Sequence, residues 1–218
     1  MSETKFLIGR SGLDLQDDFY PDDLPHEWRF DYYYTMFRAL SLPIDGEEDL
    51  ESVFENLAEA EAEDEFELVI SIEAQQLQTV EAVQKLLAPI AEHRSEFILF
   101  CELDQVLDAD TLALLKDYRV CFQSGSALEM GADLHHSSVT TKELYYNDIP
   151  VLYSSDPWNE QQMRDYLEQA AEINSTTVLI CKYAEAETLN KIRVISEILG
   201  FWTFSLHARW NKPGYWRN

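Results

Sequence analysis

Glu73 and Glu102 each follow an apolar run of strand-like composition, Phe66 to Ile72 and Glu96 to Cys101. Two carboxylates ending neighbouring strands can split their pKa values for acid and base work, or hold a divalent cation between them. They read equally as strand-end charges facing water. Arg10 and Ser11 close the first apolar run, Phe6 to Gly9, and Lys182 follows the last, Thr176 to Cys181. Cations from adjoining strands can clamp a phosphate or carboxylate. Glu73, Glu102 and Lys182 are therefore the expected catalytic groups, and Arg10, Ser11 and Lys182 the expected anion contacts. Asp45, Asp104, Gln123, Ser124 and Asp156 occupy equivalent strand-end positions.

Other reactive residue types carry less. His135 and His136 are adjacent, and adjacent residues of a strand point to opposite faces, so the pair does not readily share one ion. Cys101, Cys121 and Cys181 lie in apolar runs without CxxC spacing, which reads as buried thiols rather than disulfides or a zinc site. Neither a nucleophile elbow, a P-loop nor a GxGxxG is present. No metal and no cofactor are expected.

Positioning such groups requires strands that end on a common side. Short apolar runs at Phe6–Gly9, Ser41–Ile44, Phe66–Ile72, Glu96–Cys101, Tyr118–Phe122, Pro150–Tyr153 and Thr176–Cys181 are separated by helical patterns. Leu50, Val53, Phe54 and Leu57 fall at helical spacing, as do Val80, Val83, Leu87 and Ile90. Met163, Tyr166, Leu167 and Ala170 repeat the pattern after a capping Asp156-Pro157, and Leu189, Ile192, Ile195 and Leu199 do so before Gly200. A further helix is expected over about His26 to Ala39, and a short one over Asp108 to Lys116 capped by Asp108. Residues Ser124 to Asn147 read as strand or loop. Strands alternating with helices predict a parallel sheet, open or closed.

Phe6-Leu7-Ile8-Gly9-Arg10-Ser11-Gly12, followed by Phe19-Tyr20-Pro21, Leu24-Pro25 and the aromatic stretch Trp28 to Phe37, is similar to the opening of the YecE-like family, domain-of-unknown-function family 72 (DUF72). Trp158 to Ala170, Val178 to Tyr183 and Glu187 to Leu199 resemble its closing helix, strand and helix. The resemblance implies an α/β fold built as a parallel (β/α) barrel, TIM-like, with functional groups on the loops after the strands. It also adds Tyr20 to the ligand contacts. At 218 residues the barrel is expected to be incomplete or distorted. The family's Glu-Ile-Asn, Arg-x-His-Gly and Asn-Asn segments have no counterparts in Ala39–Asp45, Val151–Ser155 and Lys182-Tyr183, so the resemblance supplies a fold and no reaction. Whether the chain is an enzyme stays open.

The formal charge of -25 is uneven. Between Asp45 and Glu67 lie 12 acidic residues and no Lys or Arg. Such a field repels nucleic-acid phosphates and attracts basic partners. The alternative reading is accordingly an acidic, non-catalytic interaction protein that binds a basic partner, a mimic of nucleic acid. Residues 1–200 are expected to form one barrel domain. The tail 201–218, with Trp202, Trp210, Trp216, Arg209, Lys212 and Arg217 and no acid, is expected to pack on that body or on a second copy. No long apolar run or signal-like N-terminus is seen, which predicts a soluble, cytoplasmic chain without membrane contact.

Overall fold

The computed structural model describes residues 4–15, 19–46, 49–59, 65–131, 133–155 and 158–203. Residues 204–218, which hold most of the aromatic and basic tail, Asp156 and Pro157, and part of the acidic stretch lie outside them. Strands β1 (Lys5–Ser11), β2 (Ala39–Pro43), β3 (Glu67–Ser71), β4 (Phe97–Glu102), β5 (Arg119–Ser124), β6 (His135–Val139), β7 (Lys142–Tyr146), β8 (Val151–Ser154) and β9 (Thr176–Cys181) form one sheet of order β6-β7-β5-β4-β3-β2-β1-β9-β8. The ladders joining β8, β9, β1, β2, β3, β4 and β5 are all parallel, as the alternation of strand and helix requires.

Helices α1 (Arg29–Met36), α2 (Leu50–Glu59), α3 (Val80–Leu87), α4 (Ala109–Leu115), α5 (Glu160–Ala170) and α6 (Ala186–Ile198) make the crossovers. Their apolar stripes meet one face of the sheet: Phe54 of α2 packs on Phe97, and Tyr34 of α1 on Phe66. Asp108 accepts from the amides of Asp110 and Thr111, starting α4 where the sequence placed its cap. The cap of α5 is Asn159, in a reciprocal capping box with Gln162. At the far end Gly200, at φ 84°, takes the left-handed conformation that stops α6.

The expected TIM-like barrel needs correction. The sheet is curled, yet it is not a complete parallel eight-stranded barrel. The hairpin of β6 and β7 is antiparallel and occupies the free edge of β5. Its two-residue turn, Thr140-Thr141, puts Thr140 at φ 54° without the glycine or asparagine that usually announces such a turn.

Register shows which face is concave. Leu7 and Gly9 align with Val178 and Ile180 on one side, and Gly9 and Ser11 with Ala39 and Ser41 on the other. That face continues through Val69 and Ser71, through Ile98, Phe100 and Glu102, to Cys121 and Gln123. Tyr153 of β8 belongs to it by its register with Ile180. Phe100 and Tyr153, far apart in strand order, stack at 4.6 Å between centroids, so the sheet curls until β4 and β8 meet across the inside.

Where the curl brings β5 back to β8, side chains replace the ladder. Gln123 Nε2 donates to Tyr153 O at 2.9 Å, and Tyr153 N donates to Gln123 Oε1 at 3.0 Å. Below it, Val151 N donates to Cys121 Sγ at 3.2 Å. The primary amide of Gln123 thus does the work of a missing peptide group, and a fully buried polar side chain finds its partners. Of the tail, Phe201 sits edge-on to Phe6, Trp202 lies under Lys5 Nζ, and Thr203 bonds to Glu197.

Candidate functional site at the strand C-terminal mouth

The parallel strands gather their C-terminal ends, and with them the residues singled out in the sequence, on one side of the molecule. β1 and β9 are neighbours, so Arg10, Ser11 and Lys182 do leave adjacent strands. Alternation then separates them. Arg10 shares the helix-facing side with Phe6 and Ile8 and is only 7% exposed. Its Nε donates to Ser11 O at 3.1 Å, and its guanidinium lies 3.9 Å from the Glu185 carboxylate before α6. The Arg10 amide donates to the hydroxyl of Tyr33, which donates onward to Ala39 O, pinning α1 to the β1–β2 pair. Burial pushes the Tyr33 hydroxyl pKa up, so it stays a neutral donor. Gly9 is needed at this join: a Cβ there would stand 1.7 Å from Ala39 O.

Lys182 behaves differently. Its amide donates to Ser154 O, which sets it just past the end of β9, beside the end of β8. There Nζ lies 5.4 Å over the Tyr183 ring, and among the described residues it has no carboxylate partner. Ser11 is half-buried on the concave face. Tyr20 is buried, its hydroxyl donating to Leu13 O at 2.6 Å and its ring beneath Arg29, so it fixes the loop after β1.

The carboxylates divide between two duties. Glu73 caps a 3-10 turn at Ala74–Leu77, bonded by Gln75 and Gln76, while Gln76 also donates to Asp45. Glu102 belongs to the concave face. Its Oε1 accepts from Gln123 Nε2 at 2.8 Å and from Lys142 Nζ at 3.4 Å, leaving Oε2 without a partner among the described residues. No hydrogen bond joins Glu73 to Glu102 among the described residues. Both lie near Cys101, whose thiol is pushed up to about 12 by burial first and then by these two charges. Ser124 Oγ donates to Ser126 O, and Asp104 is exposed.

Lys142 is the mouth residue that sequence reasoning missed. It enters on the hairpin, just past Glu143, which pairs with Ser124 at the end of β5. No residue-type pattern in Ser124–Asn147 announces that placement. The histidines fall as alternation requires: His135 packs on Tyr146 and His136 on Tyr145, on opposite faces of the hairpin. Among the described residues no three His, Cys, Asp or Glu side chains are grouped to hold a metal ion. Nor is any helix there long and apolar enough to cross a membrane.

No family model matches the sequence, and no curated protein does. Among solved structures, a DUF72 family protein from Thermotoga maritima superposes with a TM-score of 0.53 at 12% identity, covering 90% of this chain and 99% of that one. Nearly the whole of both chains takes part, so the likeness does not rest on a shared fragment. The chain therefore has the fold of a DUF72 protein, on the same α/β framework that its first and last segments resemble in sequence.

Proposed function

We propose that the chain is a divergent YecE-like protein whose strand C-terminal mouth binds a small anion through a phosphate or carboxylate group. The observation that carries this reading is Lys182. In a chain with 41 acidic and 16 basic residues, an ammonium at the strand C-terminal end that has no carboxylate partner among the described residues is a place where an anion is welcome. Ser11, at the end of the adjoining strand β1, supplies a hydroxyl. Arg10 lies one layer behind, where its buried charge raises the local potential and its bonds fix the β1 end. Tyr20 holds the loop that borders the opening. In a thermal-shift and calorimetric screen, phosphorylated or carboxylated metabolites should stabilise the protein, and Lys182→Ala should weaken binding by at least about ten-fold, the worth of one charge-assisted contact. Absence of any shift in the unmodified protein would end this reading.

A second reading is favoured by the outer face of α2, where Glu51 and Glu55 are exposed beside Asp49. An acidic interaction protein would use this face for a basic partner. Charge reversal at Glu51, Glu55 and Glu59 should then abolish a salt-sensitive pull-down, and unchanged recovery counts against it.

A further inference from the structure

The hairpin that interrupts the parallel sheet delivers a second polar group to the mouth, and its arrangement narrows the kind of anion that fits. Glu102 is held on one side only: Gln123 and Lys142 both donate to Oε1. Gln123 is itself fixed, fully buried, by its two bonds to the backbone of Tyr153. Both side chains are part-exposed, Glu102 at 57% and Lys142 at 37%, and Oε2 is left without a partner among the described residues. Lys142 Nζ has one acceptor among the described residues, at 3.4 Å, and an ammonium carries three donors. An acceptor beside an ammonium with spare donors matches a hydroxyl, which gives one hydrogen bond and accepts another. It does not match a phosphate, which the Glu102 charge repels.

We propose that the Glu102–Lys142 pair, positioned by Gln123, reads the hydroxyl-bearing end of a ligand whose anionic end lies at Lys182. The ligand class is then a phosphorylated or carboxylated polyol, such as a sugar phosphate or a sugar acid. Relay through the inner face connects the two ends: Phe100, below Glu102, stacks on Tyr153, which registers with Ile180, two residues before Lys182. This inference rests on the anion site proposed above and adds the residues that choose among anions.

The test compares inorganic phosphate with glucose 6-phosphate, ribose 5-phosphate and glucuronate on the full chain, by calorimetry. The unmodified protein should bind at least one polyol anion about ten-fold or more tightly than inorganic phosphate, since two hydrogen bonds to charged groups are added. Lys142→Ala and Glu102→Gln should each erase that preference, bringing the polyol anion down to the affinity of phosphate. Lys182→Ala should weaken both ligand types together. The unliganded melting temperature of each variant reports folding separately, and the ratio of the two affinities is a readout that simple destabilisation does not move. Equal affinity for phosphate and polyol anions in the unmodified protein, or a preference that survives both substitutions, overturns the hydroxyl-reading role while leaving the anion site standing. Failure of every anion to bind overturns both.

Discussion

At the scale of single residues, burial sets the chemistry of the three cysteines. Cys101, Cys121 and Cys181 are free and buried, and burial pushes each thiol from an ordinary value of 9 up to about 12. None is a thiolate at neutral pH, which separates them from the reactive cysteines of enzymes. The raised values also make folding depend on alkali. Above pH 9 the unfolded chain releases thiol protons that the folded chain retains until about pH 12, so the unfolded state binds fewer protons and is favoured as pH rises. Stability should hold below pH 9 and then fall by about 1.4 kcal/mol per pH unit for each thiol. Urea titrations at several pH values check this. Replacing Cys181 with Ala should make the decline shallower, and an unchanged slope would show that the thiol does not contribute.

At the scale of elements, the decisive feature is the contact of β5 with β8, where a side chain stands in for a strand ladder. Gln123→Leu keeps much of the volume but leaves Tyr153 N–H and C=O without their partners in the interior. Leaving buried polar groups unpaired costs about 1–3 kcal/mol each, so a loss of about 2–4 kcal/mol is expected from the urea midpoint. A loss below about 1 kcal/mol would mean that packing of Phe100 on Tyr153 holds this contact alone. The hairpin beside it was not legible in the sequence. His135–Val139 has exposed, polar positions, and the turn lacks Asn-Gly or Asp-Gly, so neither alternation nor turn chemistry marks it. The parallel strands were legible because both their faces are buried, which forces apolar runs such as Leu68-Val69-Ile70 and Phe97-Ile98-Leu99-Phe100. Asn159 is the cap of α5, a residue of capping type that the sequence reading did not single out.

At the scale of the whole molecule, charge dominates. A formal -25 on 218 residues means self-repulsion that ion pairs offset in part, among them Arg119 with Glu67 and Asp148 at the other end of the inner face. Among the described residues, acids such as Glu51, Glu55 and Glu81 are exposed and therefore screened by salt. The melting temperature should rise between about 20 mM and about 0.5 M sodium chloride, as screening shrinks the repulsion of the compact state. A melting temperature that falls with salt would show that the ion pairs outweigh the repulsion.

The alternation of apolar runs and amphipathic helices was enough to predict a parallel sheet, with Arg10, Ser11, Glu73, Glu102 and Lys182 at its shared strand end, and the burial of the cysteines; the neighbouring of the first and last strands came with the barrel resemblance. The sheet and the buried cysteines follow from local periodicity, since a segment buried on both faces or on one must write that burial into its own residues. Only the tertiary structure decided that Arg10 turns to the helices and is buried, that Gln123 bridges β5 to β8, and that Lys142 reaches Glu102 from an inserted hairpin. Those outcomes depend on register and curl, which are set by contacts between distant segments and leave no periodic mark on either one.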